Sequence, residues 1–173
     1  MTAIRVYSGR LFDLANPDPN DIDIEDIAHA LSLICRFTGH VNEFDSVAQH
    51  SWIVSNLVPD ELKLTALLHD ATEAYVTDVS RPLKQMLPDY RVVEARVWRA
   101  IALRFNLPKA LPADVHEADN ISLIWEQRDL MNNAGCAYPE LAHRIPEERL
   151  YGLPSWEAED LFLGRFYDLG GVA

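Results

Sequence analysis

The sequence predicts an all-α fold, a single helical bundle with a short β-hairpin at its N-terminus, and three observations predict it. Apolar residues recur at three- and four-residue steps, as in Ile24, Ile27, Ala28, Leu31 and Ile34. Prolines and capping residues separate these stretches. The chain has 173 residues, 49% of them hydrophobic, which suits one domain over residues 1–173 with one sizeable core.

The elements follow in order. Ile4 to Leu14 alternates around Ser8-Gly9 and predicts the hairpin, and Asn16-Pro-Asp-Pro-Asn20 reads as a turn. A helix is expected from Ile24 to Phe37. Ser46-Val-Ala-Gln49 has the form of a capping box and opens a second helix that carries His50. Pro59 ends it, and Asp60 is placed to cap a third helix carrying His69, Asp70 and Glu73. Pro82 and Pro88 bracket a loop or short helix, and a longer helix is expected from about Tyr90 to Phe105. Pro112 suits the first turn of the next, which runs through Asp119 to about Met131. Asn132 to Pro154 is irregular, and Ser155 to Leu169 reads as a final amphipathic helix.

Lys and Arg number 15 against 27 Asp and Glu, a net charge of −12. That field repels a long nucleic acid, so no nucleic-acid polymer is expected as partner. A small anionic substrate is still compatible, because one local cation dominates a pocket. No stretch nears the roughly 20 apolar residues of a membrane span. The N-terminus lacks the apolar block of a signal peptide. Two cysteines, Cys35 and Cys136, suit a reducing cytosol better than a disulfide framework. The expected location is cytoplasmic.

The most informative feature is His69-Asp70 within Leu-Thr-Ala-Leu-Leu-His-Asp-Ala-Thr-Glu-Ala. A histidine and an aspartate side by side are costly to bury unless a charged or hydrogen-bonding group satisfies them. A divalent cation does so if His50 and Asp119 reach it from other helices. On one helix, Asp70 and Glu73 share a face, as do His69 and Glu73, so Glu73 would approach water on that cation without ligating it. Two imidazoles and two carboxylates leave positions open, as a catalytic site requires. Local spacing alone leaves an ordinary buried His-Asp pair equally open. His29, His40, His116 and His143 read as ordinary histidines.

Five motifs occur in order: Cys-Arg-Phe-Thr-Gly-His (35–40), Ser-Val-Ala-Gln-His-Ser (46–51), Ala-Leu-Leu-His-Asp-Ala-Thr-Glu-Ala-Tyr (66–75), Thr-Asp-Val-Ser-Arg-Pro-Leu-Lys (77–84) and Glu-Ala-Asp-Asn (117–120). Together they resemble the H…HD…D signature of the HD-domain phosphohydrolase superfamily. The surroundings resemble its bacterial and phage 5′-deoxynucleotidase-like branch, close to phage deoxyadenosine triphosphohydrolases. The resemblance implies an HD-domain helical bundle with one divalent metal ion (Co, Mn, Zn or Mg) on His50, His69, Asp70 and Asp119. It implies that Glu73 orients or deprotonates the attacking water, that Arg36 contacts substrate phosphate, and that Asp78 sits near the sugar and leaving group. Arg81 and Lys84, just after Asp78, are placed either to meet further phosphates or to be merely solvated. Phe37, beside Arg36, is the candidate for stacking on a nucleobase.

The function implied is release of the 5′-phosphate from a small 2′-deoxyribonucleotide. Triphosphate removal from a deoxynucleoside triphosphate such as dATP is the alternative. A cyclic-nucleotide or alarmone hydrolase shares the metal core. A non-catalytic nucleotide or metal sensor would use the same pocket, but it has no need of a water-activating Glu73. The relatives generally assemble, which implies a homo-oligomer in a bacterial cytosol or that of a phage-infected host.

Overall fold

The structure is a computed structural model and describes residues 2–132 and 135–172. Strand β1 (Ala3–Arg5) pairs antiparallel with β2 (Leu11–Asp13), with Ile4 opposite Phe12. Gly9 in the turn between them takes φ 86°, a conformation that favours glycine. Phe12 is fully buried and stacks on Tyr75 with ring centroids 4.0 Å apart, which fastens the hairpin to the helices.

Helices make up the rest of the regular structure. Asp23 caps α1 (Ile24–Leu33) by accepting the Glu25 N–H. Helix α1 and α2 (Val47–Asn56) both pack on α8 (Ser155–Asp168), and α2 also meets α3 (Lys63–Leu67) and α7 (Ala113–Leu130). The short α4 (Glu73–Val76) lies against α1, while α5 (Arg81–Met86) leans on α6 (Pro88–Arg104). Ile27, Leu31, Leu67, Ile101, Phe162 and Phe166 fill one core and are inaccessible to solvent. Each such side chain contributes about 1.5–3 kcal/mol by leaving water. No helix among the described residues is long and apolar enough to cross a membrane.

Several expectations need correction. Helix α1 stops at Leu33 rather than Phe37, because the chain turns extended: Val47 donates to the Ile34 carbonyl and Arg36 to that of Asp45. Ile34 still packs against the core, so apolar periodicity continues past the point where the backbone leaves the helix. His69 and Asp70 do not lie within a helix. They occupy a tight turn between α3 and α4, where Ala71 bonds back to Leu68 and Glu73 to Asp70, three residues apart.

Only half of the capping box forms. Ser46 accepts the Gln49 N–H, but the Gln49 side chain holds the distant segment at Tyr151 and Leu153. Asp60 caps no helix. It sits inside a 3-10 turn (Asp60–Leu62) begun by Pro59, and its carboxylate pairs with Lys63. Among the described residues, the irregular stretch contains one 3-10 segment, Pro139–Arg144.

Candidate metal centre and cleft

Helices α2 and α7 and the 68–72 turn bring the ligand candidates together. One ligand atom each from His50, His69 and Asp119 lies within 4.8 Å of the others. Asp70 stands beside them, its Oδ2 3.2 Å from His69 Nε2 and 3.6 Å from His50 Nε2. Both histidines are buried, whereas Asp70 and Asp119 keep 25% and 21% of their side chains exposed, toward the cleft.

The tautomers follow from the partners. His69 Nδ1 lies 2.7 Å from the Ala66 carbonyl, which only accepts, so it carries the hydrogen. His50 Nδ1 likewise donates to Glu126 Oε1 at 2.6 Å, an oxygen also bound by the Ser122 hydroxyl at 2.8 Å. Both Nε2 atoms are buried, face the carboxylates and have no hydrogen-bond partner among the described residues. Asp119 Oδ1 comes within 3.3 Å of His50 Nε2 but off the direction of a hydrogen bond. Two buried nitrogens left without partners and aimed at two carboxylates are the donor set a divalent ion satisfies.

Electrostatics points the same way. Burial and the Arg36 guanidinium oppose a charged His50, yet Glu126 and Asp119 outweigh them and push its pKa up to about 10. Burial opposes a charged Asp119, but the two imidazoles hold it down at about 2. Burial also opposes Asp70, and His69, His50 and Arg36 keep it below the ordinary carboxylate range. The cluster therefore favours positive charge at its centre.

A cleft of about 460 Å³ opens above this cluster. Asp70, Asp119, Glu73, Asp78, Arg36, Phe37, Arg81 and Lys84 all line it. Burial, then the carboxylates of Asp70 and Asp78, raises the Glu73 pKa well above its ordinary value, and Arg36 and Lys84 offset only part of this. Burial also raises Asp78. Arg36 is no surface cation: it is 8% exposed and donates from Nε to Glu126 Oε2 at 2.9 Å. Arg81 reaches Asp119 at 3.4 Å and the Tyr138 hydroxyl, and Lys84 pairs with Glu94 at 2.6 Å.

Backbone strain collects at the cleft. Phe37 and Thr38 take φ 54° and 55°, ahead of Gly39 at φ 80°. Thr77, just before Asp78, takes φ 65° and ψ 161°, a region suited to glycine alone. Such residues cost about 1–3 kcal/mol each and persist where the surroundings impose them. The Tyr90 hydroxyl donating to the Thr77 carbonyl at 2.9 Å is one such constraint. Thr77→Gly is therefore expected to raise stability by about 1 kcal/mol, read as a higher urea midpoint, after glycine's entropy of about 0.5–1 kcal/mol. The aim of Asp78 would loosen, so turnover should fall in the same variant.

Glu126 and Ser122 escaped the sequence reading. Asp119, Ser122 and Glu126 fall at i, i+3 and i+7, one face of α7, so the spacing carried the signal. The charged run Glu-Gln-Arg-Asp around Glu126 reads instead as solvated surface. Asp45, wholly buried 4.0 Å from Arg36 Nε, was missed as well.

Fold and site together define a mostly helical protein with a buried His-Asp cluster able to hold a metal ion at the floor of a charged cleft. No family model matches the chain. It is 42% identical over 172 residues to the uncharacterized protein YfdR of Escherichia coli (strain K12), spanning 98% of this chain and 96% of that one. It is also 40% identical over 168 residues to an uncharacterized protein of Rhodobacter capsulatus, spanning 91% and 78%. The chain belongs to the same family as YfdR.

Proposed function

We propose that the protein is a divalent-metal-dependent phosphohydrolase of the HD-domain superfamily that releases the 5′-phosphate of small 2′-deoxyribonucleotides. The observation that carries this reading is the pair of partnerless imidazole Nε2 atoms facing two carboxylates beneath the cleft. His50, His69, Asp70 and Asp119 would hold the ion, and mixed nitrogen and oxygen donors suit Mn, Co or Zn, with Mg favoured only by the carboxylates. When bound, such an ion supplies positive charge to a phosphoryl group and makes water more acidic.

The chain's own residues supply the rest. Glu73, with its raised pKa, takes the proton of the attacking water. Asp78, also raised, returns a proton to the departing sugar oxygen. Arg36 offers a planar guanidinium against developing phosphate charge, which a lysine would meet only as a point charge. Arg81 and Lys84 in the same cleft favour a longer phosphate chain as a second reading, triphosphate removal from a dNTP. A cytoplasmic location and a homo-oligomer belong to the same proposal.

Phosphate-release assays over dNMPs and dNTPs with Co²⁺, Mn²⁺, Mg²⁺ and Zn²⁺ test it. Inorganic phosphate from dNMP supports the first reading and triphosphate from dNTP the second, while no turnover with any metal would count against both. Glu73→Ala is expected to keep the cation and lose turnover by about 10²–10⁴-fold. Retained hydrolysis would remove Glu73 from the mechanism.

A further inference from the structure

We infer that Arg96 and Arg99 of α6, together with the turn from Asn16 to Pro19, form a second anion site that takes the phosphate group of a small phosphomonoester. The site lies outside the cleft and does not depend on the function proposed above.

An open hollow of about 510 Å³ lies between α6 and the turn that follows β2. Arg96, Arg99, Ala100 and Leu103 line it from the helix, and Asn16, Pro17, Asp18 and Pro19 from the turn. It shares no lining residue with the cleft. The turn is held to the helix through carbonyls rather than carboxylates. Arg96 donates to the Leu14 carbonyl at 3.4 Å, and Arg104 to that of Ile22 at 3.2 Å. Pro17 and Pro19 each fix a backbone angle of the turn, so the hollow is formed before a ligand arrives.

The charges here lack the balance found elsewhere. Each cation of the cleft has a carboxylate partner: Arg36 has Glu126, Arg81 has Asp119 and Lys84 has Glu94. Arg96 and Arg99 have none among the described residues, in a chain where 27 acidic residues outnumber 15 basic ones. They stand three residues apart on one helix, neighbouring positions where like charges oppose each other. Asp18 lines the same hollow and opposes an anion. Its Oδ1 is already committed, accepting from the Asn20 backbone N–H and from Asn20 Nδ2, both at 2.9 Å.

The ligand follows from these groups. A guanidinium has five N–H donors, and the Leu14 carbonyl takes just one from Arg96. A phosphomonoester carries close to two negative charges and three terminal oxygens, so it balances both arginines and accepts forked bonds from each. A carboxylate, with a single charge, balances one. The organic part of the ester then rests on Pro17, Pro19 and Leu103, the last of which is 73% exposed. Free phosphate leaves that apolar surface uncovered.

The test follows the Nε–H signals of Arg96 and Arg99 by NMR, each assigned from its Arg→Lys variant. The probes are phenylphosphonate, which bears the same three oxygens and resists hydrolysis, then orthophosphate and benzoate. Phenylphosphonate is expected to shift both signals, more tightly than orthophosphate and at least about tenfold more tightly than benzoate. Arg99→Gln should weaken that titration at Arg96 by at least about tenfold. The melting temperature of the ligand-free variant should hold, because a like-charge neighbour is gone. The inference is overturned by signals that stay unmoved, by shifts confined to Arg36 or Arg81 of the cleft, or by an affinity that Arg99→Gln leaves unchanged. Equal affinity for benzoate overturns the phosphate, and equal affinity for orthophosphate overturns the ester. Hydrolysis does not enter the readout, so the phosphohydrolase reading stands or falls separately.

Discussion

Asp70→Ala is expected to abolish cation binding and to lower kcat/KM by at least about a thousandfold, equal to about 4 kcal/mol of barrier. Asp70 lies close to both imidazole Nε2 atoms, at 3.2 and 3.6 Å, so its loss opens the donor set on the cleft side. The comparison with Glu73→Ala, which should keep the cation, separates holding the ion from using it. Metal content after dialysis reads the first, and phosphate release reads the second. Thermal melting gives an independent check, because an ion that binds only the folded state stabilises it by about 2.7 kcal/mol at a hundred times its Kd. Wild type should melt higher when Mn²⁺ or Co²⁺ is added, and Asp70→Ala should not respond. Affinity should also rise with pH, because the proton that His50 holds up to about pH 10 competes with the ion for Nε2. A variant that binds metal as well as wild type would take Asp70 out of the ligand set and leave the three residues 50, 69 and 119.

The helices were legible because burial imposes a period, written in the apolar residues of α1 and α8, and because prolines such as Pro112 mark where others begin. What periodicity cannot report is a change of backbone under an unchanged apolar face. Ile34 packs on the core from an extended segment, and the spacing of His69, Asp70 and Glu73 fits a helix although the chain tightens there into three-residue turns. The side chains at 69 and 70 nonetheless meet, Asp70 Oδ2 lying 3.2 Å from His69 Nε2, an approach that the helical step of about 100° between neighbours does not suggest. The charged residues lining the cleft came from ordered motifs rather than from spacing. Those behind it did not come at all, because Glu126 and Asp45 are acidic residues in polar surroundings of sequence. Nothing local distinguishes a buried carboxylate from a solvated one until its cation is located, and Arg36 lies 90 positions from Glu126.

The largest loss of stability is expected at Glu126. Glu126→Ala leaves the Arg36 guanidinium buried with only Asp45 at 4.0 Å and strips His50 Nδ1 of its carboxylate. Removing one partner of a buried ion pair costs about 3–5 kcal/mol, readable as a fall in urea midpoint. Burial opposes a charged Glu126, but Arg36 and His50 hold its pKa below the ordinary value. Its contribution is thus complete above the ordinary glutamate range and is lost as pH falls through the depressed value, where the deficit of Glu126→Ala should shrink. Asp45 has the opposite sign. Burial and Glu126 outweigh Arg36 and push its carboxyl from 3.8 up to about 7, and neither oxygen has a hydrogen-bond partner among the described residues. A raised carboxyl binds its proton more tightly when folded, so it costs stability progressively from about pH 4 to pH 7, by up to about 4 kcal/mol. Asp45→Asn should therefore be near neutral at pH 4 and stabilising at pH 8. If it is destabilising at pH 8, the Asp45 carboxylate gains more from Arg36 than its burial costs and acts as a second full partner of Arg36. The expected outcome instead makes Asp45 a group kept at a loss of stability, beside the arginine that the cleft needs in place.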